Sequence, residues 1–247
     1  MSQYKKLAQI YDYLMSGVDY DEWAEYIKSI AEKFNCKVEK VLDLACGTGN
    51  SSLSLAKKGF KVVGVDLSPE MLKAAEEKSV KGSLDIAFIE QDMRRLHLPE
   101  EVDMTVVYQD GLNYMLEDED LKGVFKRVHR HLKEKGLFVF DINSVDKLPT
   151  VNGEVTYHEE DSMNLIWESG YDYENQVWEI CLTGFLKKDN GYYDKFKEIH
   201  REKYYPAGTI TFFLEETGFE VMAVYKAFTF EEGKDSDKRL YYVARKV

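Results

Sequence analysis

Residues 41 to 71, VLDLACGTGNSSLSLAKKGFKVVGVDLSPEM, constrain the fold more than any other stretch. Val41, Leu42 and Leu44 form a short apolar strand that stops at Cys46-Gly47-Thr48-Gly49. Two glycines so close permit a tight turn and let a ligand approach backbone where a Cβ would collide. A helix follows, with Asn50 or Ser51 as its expected cap, so that its unpaired N–H groups face the turn. A second apolar strand, Lys61 to Val65, ends on the acid Asp66. That carboxylate lies within the ~20 residues at which an acid reaches ribose hydroxyls in nucleotide-binding strand–helix–strand units. The unit reads as a nucleoside-cofactor site.

The residues also bear on which cofactor. A dinucleotide fingerprint needs a third glycine, for close packing of the helix on the strand. Here Asn50, Ser51 and Ser52 follow Gly49 instead. Asp43, near the end of the first strand, would repel a pyrophosphate but suits a cofactor carrying an ammonium and a sulfonium. D-x-x-C-G-T-G-N with a downstream V-D-x-S-x-x-M-L resembles the first two motifs of class I S-adenosylmethionine-dependent methyltransferases. The resemblance extends to the bacterial small-molecule branch that includes glycine N-methyltransferase-like and amino-sugar N-methyltransferases. It covers residues 1 to about 145 and 200 to 247.

Alternating strands and helices run from residue 40 to about 141. They imply a parallel sheet with helices on both faces. Strands are expected at 40–45, 61–66, 84–89, 104–108 and 137–141, and helices near 51–58, from Pro69, and at 118–134. Ahead of them lies a helical lead-in, 1–35, with an apolar stripe at Trp23, Tyr26, Ile27, Ile30 and Phe34. From Val151 to Tyr205 no helical period appears, and four antiparallel strands are expected at 156–160, 164–170, 177–186 and 192–204. A helix at 207–217 and strands at 219–225 and 240–244 close the chain. The expected fold is therefore α/β: a seven-stranded, mostly parallel Rossmann-like methyltransferase sheet with an antiparallel β insertion after strand five. Residues 1–145 and 206–247 would form the cofactor-binding domain, and 146–205 a lid on the substrate side. Tyr157, Trp167, Tyr171 and Tyr173 are the insertion's candidate exposed aromatics; if the insertion were not a lid, they would suit a partner or a homodimer.

Composition excludes several classes. A net charge of −12 over 247 residues argues against a nucleic-acid surface, which needs Lys and Arg to release counterions. Arg94-Arg95 and the lysine doublets read as isolated and solvated. Cys36, Cys46 and Cys181 lie far apart without a C-x-x-C, so neither a disulfide framework nor a metal site is expected. No secretory leader is evident and no apolar run approaches the ~18 residues of a membrane span, so a cytoplasmic location is expected.

The resemblance assigns roles by motif. Ala45, Cys46, Gly47 and Gly49 form the cofactor turn, and Gly47 admits the methionine and ribose portion. Asp43 orients the amino group and Asp66 accepts the ribose hydroxyls. Leu67 and Met71 line the adenine face. Asp92 accepts from the adenine amine while the Met93 N–H meets a ring nitrogen. Tyr108 and Gln109 lie beside the methyl group. Core packing is the plain alternative for Leu67, Met71 and Met93, and solvation for Asp66 and Asp92. Tyr4 and Tyr11, seven apart, resemble the family's lid, on one face of a two-turn helix; packing is their alternative.

Methyl transfer is an in-line displacement, so orientation and desolvation supply most of the rate. A base is needed only for a protonated nucleophile. Tyr4, Tyr11, Tyr114 and His200 are the catalytic candidates, with Asp110 and Asn113 also near the site. Tyr114 stands where related sugar N-methyltransferases carry a histidine. His129 and His131 read as surface. The nucleobase signature D/N-P-P-Y is absent after strand four, so the expected acceptor is a small molecule and most simply an amine. A non-catalytic cofactor- or partner-binding module and an NAD-dependent oxidoreductase are the competing readings.

Overall fold

The computed structural model describes residues 6–143 and 153–247. Its strands, in chain order, are β1 (Lys40–Leu44), β2 (Lys61–Asp66), β3 (Ile86–Glu90), β4 (Val102–Val107), β5 (Leu132–Asn143), β6 (Glu154–Glu160), β7 (Met163–Asp172), β8 (Val177–Lys187), β9 (Tyr193–Lys203), β10 (Phe219–Lys226) and β11 (Arg239–Lys246). The α-helices are α1 (Tyr11–Leu14), α2 (Tyr20–Lys33), α3 (Asn50–Lys57), α4 (Pro69–Lys81), α5 (Asp118–His131) and α6 (Ala207–Glu216).

Seven strands form one sheet in the order β10-β11-β5-β4-β1-β2-β3. β1 to β5 run parallel, and β11 is antiparallel to both β5 and β10. Both faces are covered, which is why the central strands read as continuous apolar runs. Val41, Met104, Val106, Leu137, Val139 and Tyr241 turn to one face, against Trp23, Ile27 and Ile30 of α2. Their neighbours Leu42, Val107, Phe138, Phe140 and Tyr242 turn to the other, against α5 and α6. Asp19 caps α2 through Glu22 N–H, and Ser68 caps α4 through Met71 N–H, with Pro69 in the first turn.

The insertion is a separate four-stranded antiparallel sheet, β6-β7-β8-β9. Its inner face packs Met163, Leu165, Leu182 and Phe196 against Leu7 and Ile10 of the N-terminal segment. No described helix is long and apolar enough to cross a membrane.

Several expectations are corrected. The helix starting at 118 stops at His131 because Leu132 pairs with Val102, as the first residue of β5. His131 is buried rather than a surface residue. Helix α3 is not capped by Asn50 or Ser51: Gly49, in the left-handed region, precedes it. The described part of the lid is not one continuous helix but a 3-10 turn, Leu7–Gln9, and then the single turn α1. Of the insertion aromatics, Tyr157 and Tyr173 are exposed, whereas Tyr171 is buried and Trp167 packs partly against the N-terminal segment.

Candidate active site

The carboxyl ends of β1 to β4 open on a cleft of about 820 Å³. β1 lies between β2 and β4, where the chain reverses the direction in which it adds strands; open α/β sheets bind ligands at that point. The cleft lining brings together Tyr11, Ala45, Gly47, Asp66, Leu67, Met71, Asp92, Met93, Tyr108, Gln109 and Tyr114. Asp43, Cys46, Gly49 and His200 stand behind it. Tyr4 lies outside the described residues.

The turn after β1 divides its labour between the two glycines. At Gly47 (φ +54°) an added Cβ would meet only the Tyr11 ring, at 3.9 Å, so backbone is open to the cleft. At Gly49 (φ +78°) a Cβ would stand 2.7 Å from Ala75 Cβ, so this glycine lets α3 approach α4. The packing role reserved for a third glycine thus falls to Gly49. Ala45, also left-handed at φ +63°, lines the cleft floor. The Cys46 thiol points away, close to Gly64 of β2, and burial raises its pKa well above the ordinary thiol value.

Asp43 is almost wholly buried. Its Oδ2 accepts from Ser51 Oγ at 2.6 Å and Ser52 Oγ at 2.5 Å, while Oδ1 has no hydrogen-bond partner among the described residues. Burial pushes its carboxyl up to about 6 against these two bonds, with Asp66 adding to the rise. Ser51 lines a side pocket of about 30 Å³ together with Tyr20, Thr48 and Asn50, next to the main cleft. Asp66 is pinned by the protein: Gly47 N–H donates to Oδ2 and Ser68 N–H to Oδ1, both at 2.8 Å. Burial raises its pKa while these N–H groups lower it. Each oxygen retains acceptor capacity for a hydroxyl.

Around the cleft, Leu67 is exposed and Met71 buried beneath it. Asp92 is held by Arg94, with Nη2 to Oδ2 at 2.6 Å and Arg94 N–H to Oδ1 at 2.9 Å. Arg94 lowers the Asp92 pKa, and it lines the cleft while remaining exposed, as expected for the doublet. Tyr108 packs on Trp23 with ring centroids 4.5 Å apart. Gln109 and Asp110 are both left-handed (φ 54° each), a turn clamped by Arg239. Arg239 Nη2 meets Asp110 Oδ1 at 2.6 Å and Nη1 meets Asp141 Oδ2 at 2.5 Å.

Tyr114 faces the cleft and its hydroxyl lies 3.3 Å from Nδ1 of buried His200. Asn113 points elsewhere, to Lys203 O at 2.9 Å. Tyr11 sits over Gly47, and burial raises its phenol pKa far above the ordinary value. Sequence reasoning missed Glu90, at the end of β3, and Ile199 and Arg201 of β9, because nothing local marks which residues of the insertion sheet turn toward the cleft.

A methyltransferase-domain profile matches residues 41–136. A putative methyltransferase of Bacillus subtilis (strain 168), YqeM, is 36% identical over 246 residues, covering 98% of this chain and 97% of the relative. The crystal structure of an S-adenosylmethionine-dependent methyltransferase from Clostridium acetobutylicum ATCC 824 superposes with a TM-score of 0.88 at 31% identity, covering 98% of each chain. The chain belongs to the S-adenosylmethionine-dependent methyltransferases. The sugar N-methyltransferase KedS8 from Streptoalloteichus sp ATCC 53650 shares the fold (TM-score 0.76, 21% identity, 95% of this chain and 91% of that one).

Membership sets aside the oxidoreductase and non-catalytic readings, and it makes S-adenosylmethionine the cofactor. The site of this methyltransferase fits that molecule in three places. The unsatisfied Asp43 Oδ1 would meet the ammonium, directly or through one water. Gly47 leaves the backbone open to the ribose and methionine. Asp66 would offer two pre-oriented oxygens to the ribose hydroxyls. The adenine side fits less simply, because both Asp92 oxygens are already engaged by Arg94.

Proposed function

We propose that the enzyme methylates the nitrogen of a small-molecule amine. The observation that carries this reading is Tyr114, on the cleft wall, hydrogen-bonded at 3.3 Å to the buried His200. An amine reaches the site as an ammonium and must lose one proton, and a phenol backed by an imidazole can receive it. The charge of the lining agrees: Asp66, Glu70, Glu90 and Asp92 favour a cation. The two arginines there are spoken for, Arg94 by Asp92 and Arg201 by Glu179 at 2.7 Å. The cleft volume is that of a small-molecule site.

The bound cofactor supplies an electrophilic methyl group on a sulfonium. The protein's part is to bind, orient and exclude water. Asp43 holds the ammonium and Asp66 the ribose of the cofactor, and Tyr11 covers the turn beside them. Tyr108 and Gln109 shape the wall beside the methyl. Tyr114 takes one proton from the ammonium while passing its own to Nδ1 of His200, which frees the nitrogen lone pair to meet the methyl along the reaction line. The described part of the insertion would form the lid on this acceptor side. Its cysteine and those of the core are free, which suits a reducing cytoplasm.

The test is transfer of radiolabelled methyl from S-adenosylmethionine to a set of small amines and the matching alcohols. Amines should be labelled, and His200→Gln should lower turnover tenfold or more with cofactor affinity unchanged. Labelling of the alcohols alone, or of no amine in the set, would overturn the reading.

A further inference from the structure

Polar contacts fasten the N-terminal segment on both sides of the cleft, beside the Lys6–Asp194 and Tyr13–Glu160 contacts to the insertion. On the cofactor side, Asp12 accepts from Thr48 Oγ1 at 2.6 Å and Asn50 Nδ2 at 3.0 Å, and pairs with Lys78 Nζ at 2.7 Å. On the acceptor side, Glu198 of β9 takes over. Its Oε1 accepts the backbone N–H groups of Lys6 and Leu7, each at 3.2 Å. Its Oε2 lies 3.6 Å from Nε2 of His200, whose Nδ1 meets Tyr114. The Glu198 and His200 side chains are only 9% and 5% exposed, so little water competes for these contacts.

We propose that Glu198 is a positioning residue that couples the two halves of the site. One oxygen holds the N-terminal segment, and with it Tyr11, over the cofactor turn. The other orients His200 toward Tyr114. Lifting the segment withdraws two donors from Oε1. Both contacts belong to one carboxylate group, so losing the pair at Oε1 changes the position of Oε2 beside His200. Enclosing the cofactor and assembling the acceptor side are therefore one event, and the coupling runs equally in both directions. The inference rests on the reading of Tyr114 and His200 as the acceptor side, but it needs no acceptor for its test.

The probe is S-adenosylhomocysteine with the full chain. In wild type, its binding should shift the His200 ring signals in ¹⁵N-histidine spectra, assigned by their loss in His200→Gln. Binding should also slow amide exchange across residues 6–10. Glu198→Ala should release the probe at least tenfold faster and leave His200 silent to it. Glu198→Gln keeps a carbonyl oxygen for the two N–H groups, so it should restore slow release without restoring the His200 response. Lys6→Pro removes the Lys6 N–H donor together with the Lys6–Asp194 ion pair of 3.4 Å to β9, and is read against Lys6→Ala, which removes the ion pair alone. Against that reference, Lys6→Pro should speed release in the same direction even if Glu198→Ala fails to fold. Wild-type release rates in Glu198→Ala and Lys6→Pro would overturn the proposal. Binding with His200 silent in wild type would overturn the coupling alone. Failure of wild type to bind the probe at all would overturn the cofactor site and this inference with it.

Discussion

Asp43 carries the clearest pH dependence. Its carboxyl stands at about 6 in the folded protein, against an ordinary 3.8. Between those values the folded chain holds a proton that the unfolded chain has released. The group thus has no effect on stability below pH ~4 and opposes folding increasingly as pH rises through ~6. The cofactor ammonium, placed at Oδ1 as proposed, would favour the charged form, so cofactor binding would expel the proton. Affinity for S-adenosylhomocysteine should climb between pH ~5 and ~7, by up to about tenfold per unit, and Asp43→Asn should flatten the climb. Calorimetry finding no pH dependence in wild type would contradict this. Asp66 holds the turn through Gly47 and Ser68 N–H and, in the proposed site, would also face the ribose. Asp66→Ala should therefore weaken binding at least tenfold. It should also cost ~1–3 kcal/mol of stability through the stranded Gly47 and Ser68 N–H groups. Ala45 occupies a left-handed position that glycine fills without strain, so Ala45→Gly should raise stability by ~1 kcal/mol, visible as a higher melting temperature.

Among elements, the turn after β4 is held from outside itself. Gln109 and Asp110 sit in left-handed backbone that costs ~1–3 kcal/mol per residue unless the surroundings enforce it. Arg239 of β11 enforces it, bridging Asp110 to the fully buried Asp141. Asp110 N–H adds a bond to Asp141 Oδ2 at 3.1 Å. Removing one partner of a buried ion pair leaves charge uncompensated. Arg239→Met should cost ~3–5 kcal/mol in urea unfolding followed by tryptophan fluorescence. It should also weaken cofactor binding, since Gln109 lines the cleft. A loss below ~1 kcal/mol would mean that the turn holds its own shape.

At the scale of the whole molecule, the insertion is tied to the core by buried polar contacts as well as by its chain ends. Asn143 Nδ2 donates to Glu202 Oε2 at 3.1 Å, and Asn113 to Lys203 O. Leu7 and Ile10 find their apolar partners on its inner face. Replacing residues 144–205 by a short linker is therefore expected to abolish methyl transfer and also to weaken cofactor binding several-fold, because the N-terminal segment loses its seat. Wild-type affinity in the shortened chain would show that the segment holds to the cofactor turn through Asp12 without help.

The sequence by itself determined the sheet, its two covered faces, the glycine turn and the acid at the end of β2. These depend on local signals: apolar period, glycine conformation and strand-end position. It also placed the antiparallel insertion, because alternation and turn residues repeat within it. Only the tertiary structure decided how the polar groups pair. Ser51 and Ser52 turn inward to Asp43 instead of capping α3, and Arg94 closes on Asp92. Glu198 reaches Lys6 and Leu7, and Arg239 reaches Asp110. The last two join residues more than a hundred positions apart, and no local pattern encodes such a meeting. Buried hydrogen-bonding groups must find partners wherever the packed chain brings them, so these pairings exist only once the fold does.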